Sequence, residues 1–132
     1  MNTTTGLERG HRAYANRAWA DAYEVLGRAN SEQELAPHDL ELLARSAYML
    51  GLDDEYRRAL EQAYRAYRDA GDASRASRCA WWIGHNLMFL GQVAPARGWF
   101  ARGQRLLELG GGDSADRGYL LIRGQIAASG AS

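Results

Sequence analysis

The sequence predicts an all-α fold: about three antiparallel helix hairpins stacked in series, plus a seventh helix. Three observations carry this expectation. Small residues recur at a fixed step, apolar residues recur at helical spacing, and turn-forming residues punctuate the chain at helix-length intervals.

The repeat comes first. Ala22, Ala59 and Ala96 fall 37 residues apart. The same shift aligns Gly10 with Ala47 and Gly84, Trp19 with Tyr56 and Val93, Leu26 with Ala63 and Phe100, and Ala29 with Ala66 and Gly103. Two antiparallel helices joined by a tight turn cross closely only where side chains are small, and bulky neighbours fill the space beside the crossing. Gly84 against Ala96, with Val93 and Phe100 as filler, fits that requirement, and so does Gly10 against Ala22, with Trp19 and Leu26.

Helices are expected near 6–15, 18–30, 37–50, 53–70, 73–90, 94–109 and 115–128. Pro37 suits the first turn of the third helix. Asp53 can cap the fourth, and Gly71-Asp72 ends that helix and caps the fifth. Gly91 stops the fifth, Pro95 sits in the first turn of the sixth, and Gly110-Gly111-Gly112 closes it. Leu40, Leu43, Ala47 and Leu50 form an apolar stripe, and Trp99, Leu106 and Leu107 belong to another. With only Val25 and Val93 as valines and no sustained alternation, strands are not expected. Residues 1–5 and 129–132 are expected to be flexible ends around one repeat domain over 6–128.

Composition excludes several functions. Basic and acidic residues number 16 each, for a formal net charge of +0, whereas nucleic-acid domains carry a basic excess. Every basic residue other than histidine is arginine, so Schiff-base, phosphate-loop and Ser–Lys chemistry have no lysine to use. The lone Cys79 has no disulfide partner, and the N-terminus has no charged-then-apolar leader. A cytoplasmic protein that does not enter the membrane is expected. His11, His38 and His85 lack paired-ligand spacing, so neither metal nor cofactor is expected. Asp53-Asp54-Glu55 complements a helix dipole, and the arginines around it read as a salt-bridging solvated face. No nucleophile stands beside a base, and an enzyme is not expected.

Two resemblances name the pattern. The segment Ala80-Trp81-Trp82-Ile83-Gly84-His85-Asn86-Leu87, followed by Gly91-Gln92-Val93-Ala94-Pro95-Ala96, resembles the tetratricopeptide repeat. It implies a right-handed stack whose first helices line a concave surface. The run from Tyr67 to Trp82, the segment Ala96-Arg97-Gly98-Trp99-Phe100-Ala101-Arg102, and Gly118-Tyr119-Leu120-Leu121 are similar to the repeat region of LuxR-type transcriptional regulators. That likeness implies a sensory or interaction segment followed by a DNA-binding helix-turn-helix. The chain stops midway through a fourth unit, so DNA contact is expected only through a domain absent from this chain.

In such a stack the first helices would turn His11, Tyr14, Tyr48, Trp81, His85 and Met88 into a binding groove, where aromatics and methionine offer large contact area at low entropy cost. Met88 and Phe89 also fit ordinary core packing, as aromatic stripes usually do. Arg45 and Arg78 would meet an acidic partner. The expected function is holding a protein or peptide as the signal-receiving part of a regulator, with self-association through an uncapped end as a further expectation. The alternative is a small-molecule receptor with Tyr48, Trp81 and His85 around an apolar cleft.

Overall fold

A computed structural model describes residues 3–110, with side chains placed over 6–109. It contains α1 (Thr3–Ala15), α2 (Trp19–Glu32), α3 (Pro37–Met49), α4 (Asp53–Asp69), α5 (Ala73–Phe89) and α6 (Val93–Gly110). The all-α class holds, and no strand occurs among the described residues. The seventh helix expected over 115–128, Gly111-Gly112 and the tail 129–132 lie outside the described residues. At the other end α1 starts at Thr3, earlier than expected. Threonine costs only a few tenths of a kcal/mol, roughly, in a helix, so nothing in Thr3–Thr5 stops the helix from propagating backwards.

The turns show most clearly how local sequence builds the hairpins. At the end of α3, Gly51 N donates to Tyr48 O (3.0 Å) and Leu52 N to Ala47 O (2.9 Å). This paired return of orphan carbonyls is the Schellman arrangement, and it needs a left-handed residue just past the helix. The same two bonds recur after α4 at Gly71 and after α5 at Gly91, all with positive φ. After α1 the position falls to Arg17, at φ 59°. A Cβ in that conformation costs about 1 kcal/mol. Arg17→Gly is therefore expected to raise stability by roughly 0.5–1 kcal/mol, and Gly91→Ala to lower it by about 1 kcal/mol, both measurable by urea unfolding.

These turns also correct the repeat step. Counted between left-handed residues, it is 34 from Arg17 to Gly51 and 40 from Gly51 to Gly91. The first and third units keep the register expected from the sequence, because the two steps together equal twice 37. In the middle unit the residue equivalent to Gly10 and Gly84 is Ala44, not Ala47, and Tyr56 takes the place of Ala22 and Ala96. The physical cause is a redistribution of length: α3 has 13 residues where α5 has 17, while α4 has 17 where α2 has 14. The three alanines that suggested the repeat, Ala22, Ala59 and Ala96, are all buried.

The chain divides into two compact units, Met1–Ala63 and Tyr64–Ser132. In the first, α1 packs on α2 and α2 on α3. Gly10 is the point of closest approach, since a Cβ there would sit 2.6 Å from Leu26 Cδ2. Leu26, Leu40 and Ala47 are fully buried around it, each large apolar side chain contributing about 2 kcal/mol. Asn30 closes the irregular α2–α3 link: its Oδ1 accepts from Leu35 N at 3.0 Å, and its Nδ2 donates to Gln62 Oε1 at 3.0 Å.

In the second unit α5 packs on α6. Gly84 repeats the role of Gly10, with a would-be Cβ 2.7 Å from Phe100 Cε1. Ser77 Oγ donates across the crossing to Gly103 O at 2.9 Å, which satisfies a fully buried hydroxyl. Asp72 caps α5 by accepting from Arg75 N at 3.1 Å. Cys79 is buried beside this crossing as a small core residue. Trp99 meets the Tyr64 ring edge-on at 5.3 Å and carries the Arg102 guanidinium 4.4 Å above its own ring.

Candidate functional site

Each helix before a left-handed turn buries one face and leaves another open. Six residues before the turn stand His11, Arg45 and His85, all exposed. Three before it stand Tyr14, Tyr48 and Met88. The sequence-predicted site thus collects five of its six groove residues, plus Arg45, at two equivalent positions of the repeat.

In the first unit these positions form a patch across α1 and α3. His11 Nε2 lies 2.6 Å from Asp39 Oδ1, and Arg45 Nη1 donates to the Tyr14 hydroxyl at 3.2 Å. Tyr14 also meets Trp19 edge-on, ring centres 5.4 Å apart. Tyr48, 55% exposed, leans on Tyr56 at 5.1 Å. His11, Tyr14, Arg45 and Tyr48 are therefore braced by neighbours while their outer surfaces stay wet.

In the second unit the patch runs along α5. Arg78, Trp82, His85 and Phe89 are exposed, and their spacing of four, three and four residues places them on one helical face. Trp82 is 45% exposed and Phe89 85%. Trp81 differs from its predicted role. It is only 6% exposed and packs with Leu107 and Phe100 between α5 and α6. One step along a helix rotates a side chain by about 100°, so of two adjacent tryptophans one goes in and one stays out. Trp81 still touches the patch from beneath, with ring centres 4.6 Å from Trp82 and 5.0 Å from His85. Met88 is half-buried. Phe89, which also fitted core packing, is the most exposed aromatic side chain described.

Sequence reasoning missed Trp82 and Phe89 as site residues, although their spacing from Arg78 and His85 was visible. It also missed Asp39, for which a partner 28 residues away left no local signal.

The chemistry available is recognition. Among the described residues no group of three or more His, Cys, Asp or Glu stands close enough to hold a metal, and none of the helices is long and apolar enough to cross a membrane. The main concavity lies elsewhere, a groove of about 560 Å³ between α1 and α2. It is formed by Arg9, Ala13 and Asn16 on the side of α1 turned away from His11 and Tyr14.

No family model matches the chain, and no curated protein matches it.

Proposed function

We propose that this chain is a tetratricopeptide-like repeat domain that holds a protein or peptide on the open faces of its first helices. The observation that carries the reading is the α5 stripe, where Trp82 and Phe89 stand in solvent beside Arg78 and His85. Exposing large aromatic area costs solvation free energy, and Trp, Tyr and Arg are the side chains that dominate binding interfaces. The α1/α3 patch repeats the mixture with Tyr14, Tyr48, His11 and Arg45. Both patches join cationic or imidazole groups to aromatic surface, which suits a peptide carrying carboxylates next to apolar side chains.

The repeat phrasing between Tyr67 and Trp82 supports a place in a LuxR-type transcriptional regulator, with the domain receiving a signal and a separate helix-turn-helix binding DNA. In that role it turns over no substrate, needs no cofactor and works in the cytoplasm. The gene's downstream sequence tests this part: an in-frame helix-turn-helix supports it, and a stop codon directly after Ser132 removes it. The small-molecule reading is weaker, because Trp81, one of its three lining residues, is engaged between α5 and α6.

A displayed library of short peptides with varied charge tests the docking claim. Enriched peptides should be acidic and contain aromatic or aliphatic residues. Trp82→Ala should weaken the best of them by about thirtyfold, the size of a hot-spot loss of ~2 kcal/mol. Enrichment of basic peptides, or affinities unmoved by Trp82→Ala, Arg45→Glu and His85→Ala together, would refute it.

A further inference from the structure

The groove between α1 and α2 has a different character from the aromatic patches. Its floor is made of slender groups, among them Gly6, Ala13, Val25 and Ala29. Such a floor lets another helix approach closely. Its two sides carry opposite charge. The α1 side presents Arg9 and Arg12, while the α2 side presents Asp21, Glu24 and Glu32 with Arg28 among them. Two positive charges therefore face a net of two negative ones.

We propose that this face pairs with the same face of a second copy of the chain. Only one symmetric arrangement suits the charges. A two-fold axis perpendicular to the helices would lay α1 on α1 and set Arg9 and Arg12 against their own copies. A two-fold axis parallel to the helices lays α1 of each copy on α2 of the other, cationic side on anionic side. It also keeps every residue at its own height along the axis. Heights within the hairpin are fixed by Gly6 beside Ala29 Cβ (4.0 Å) and Gly10 beside Leu26. On that scale Arg12 is level with Glu24, and Asn16 is nearly level with Asp21. The dimer then sets Arg12 of each copy opposite Glu24 of the other, twice per interface, and closes a four-helix antiparallel bundle over the small-residue floor.

Helices of 13 and 14 residues are about 20 Å long, so the face lies at the small end of specific interfaces and the dimer is a reversible one. This proposal is independent of the peptide-docking reading, because the groove lies on the other side of α1 from His11 and Tyr14.

Sedimentation velocity of the whole chain across micromolar to submillimolar concentrations tests it. The wild type should pass from monomer to dimer. Arg12→Glu and Glu24→Arg, each alone, should weaken the dimer by roughly tenfold or more, since each change turns two attractions into two repulsions. Mixing the two variants should restore association as a heterodimer, because every facing pair is then opposite in sign, and this outcome separates a lost contact from a lost fold. A wild type that stays monomeric throughout the range overturns the proposal. So does a dimer indifferent to both reversals, or a mixture that associates no better than its components.

Discussion

Replacing Leu26 with alanine is expected to cost about 3 kcal/mol, the middle of the range for a buried leucine that leaves a cavity behind. Leu26 has no exposed surface, and its side chain covers the bare backbone of Gly10. The companion change is more telling. Gly10→Ala would place a methyl group 2.6 Å from Leu26 Cδ2 and 2.8 Å from Leu26 Cγ. Overpacking of that kind costs about 1–3 kcal/mol, which outweighs the ~1 kcal/mol a helix gains from alanine over glycine. With Leu26 already shortened the obstruction is gone, so Gly10→Ala should become stabilising in that background. Urea unfolding of the four proteins in the cycle measures this change of sign. Additive effects would mean that α1 and α2 do not meet at Gly10.

The tandem tryptophans give the second large effect. Trp81→Ala should cost about 3–5 kcal/mol, because the ring is buried against Leu107 and Phe100. Trp82→Ala, one residue further along α5, should change stability by no more than about 1 kcal/mol, as only an edge contact with the neighbouring ring is lost. Its effect should fall on binding instead. Thermal unfolding followed by circular dichroism separates the two, and equal losses would show that the two indoles are not divided between core and surface.

Much of the fold was legible because helix signals are local. The left-handed stops at Gly51, Gly71 and Gly91, Pro37 at the start of α3 and the Asp72 cap each lie within a few residues of what they specify. Arg17 escaped notice because nothing in its identity advertises a left-handed backbone. The register of the middle repeat was misread by three residues, since alanine at both 44 and 47 gives a slender buried stripe in either alignment, and only the turn at Gly51 decides between them.

The site was half legible for a similar reason. His11, Tyr14, Arg45, Tyr48 and His85 follow from helical periodicity, whereas choosing Trp82 over Trp81 needs the phase of α5 to within one residue. Whether Phe89 is covered depends on what lies over the last turn of α5, and the pairing of His11 with Asp39 joins different helices. The charged groove of the α1/α2 hairpin was not foreseen at all. It arises from which face of the first hairpin stays uncovered, and no sequence spacing encodes that.

The account rests on the open faces of the first helices being the surface that binds. Titrating the ¹⁵N-labelled chain with the best peptide from the acidic library, and following its indole N–H resonances by NMR, tests that most directly. Trp19, Trp81, Trp82 and Trp99 report from different places in the two units. The Trp82 signal should move most and Trp81 less, with Trp99, held between Tyr64 and Arg102, unmoved. A titration that shifts Trp99 and leaves Trp82 in place would contradict the account.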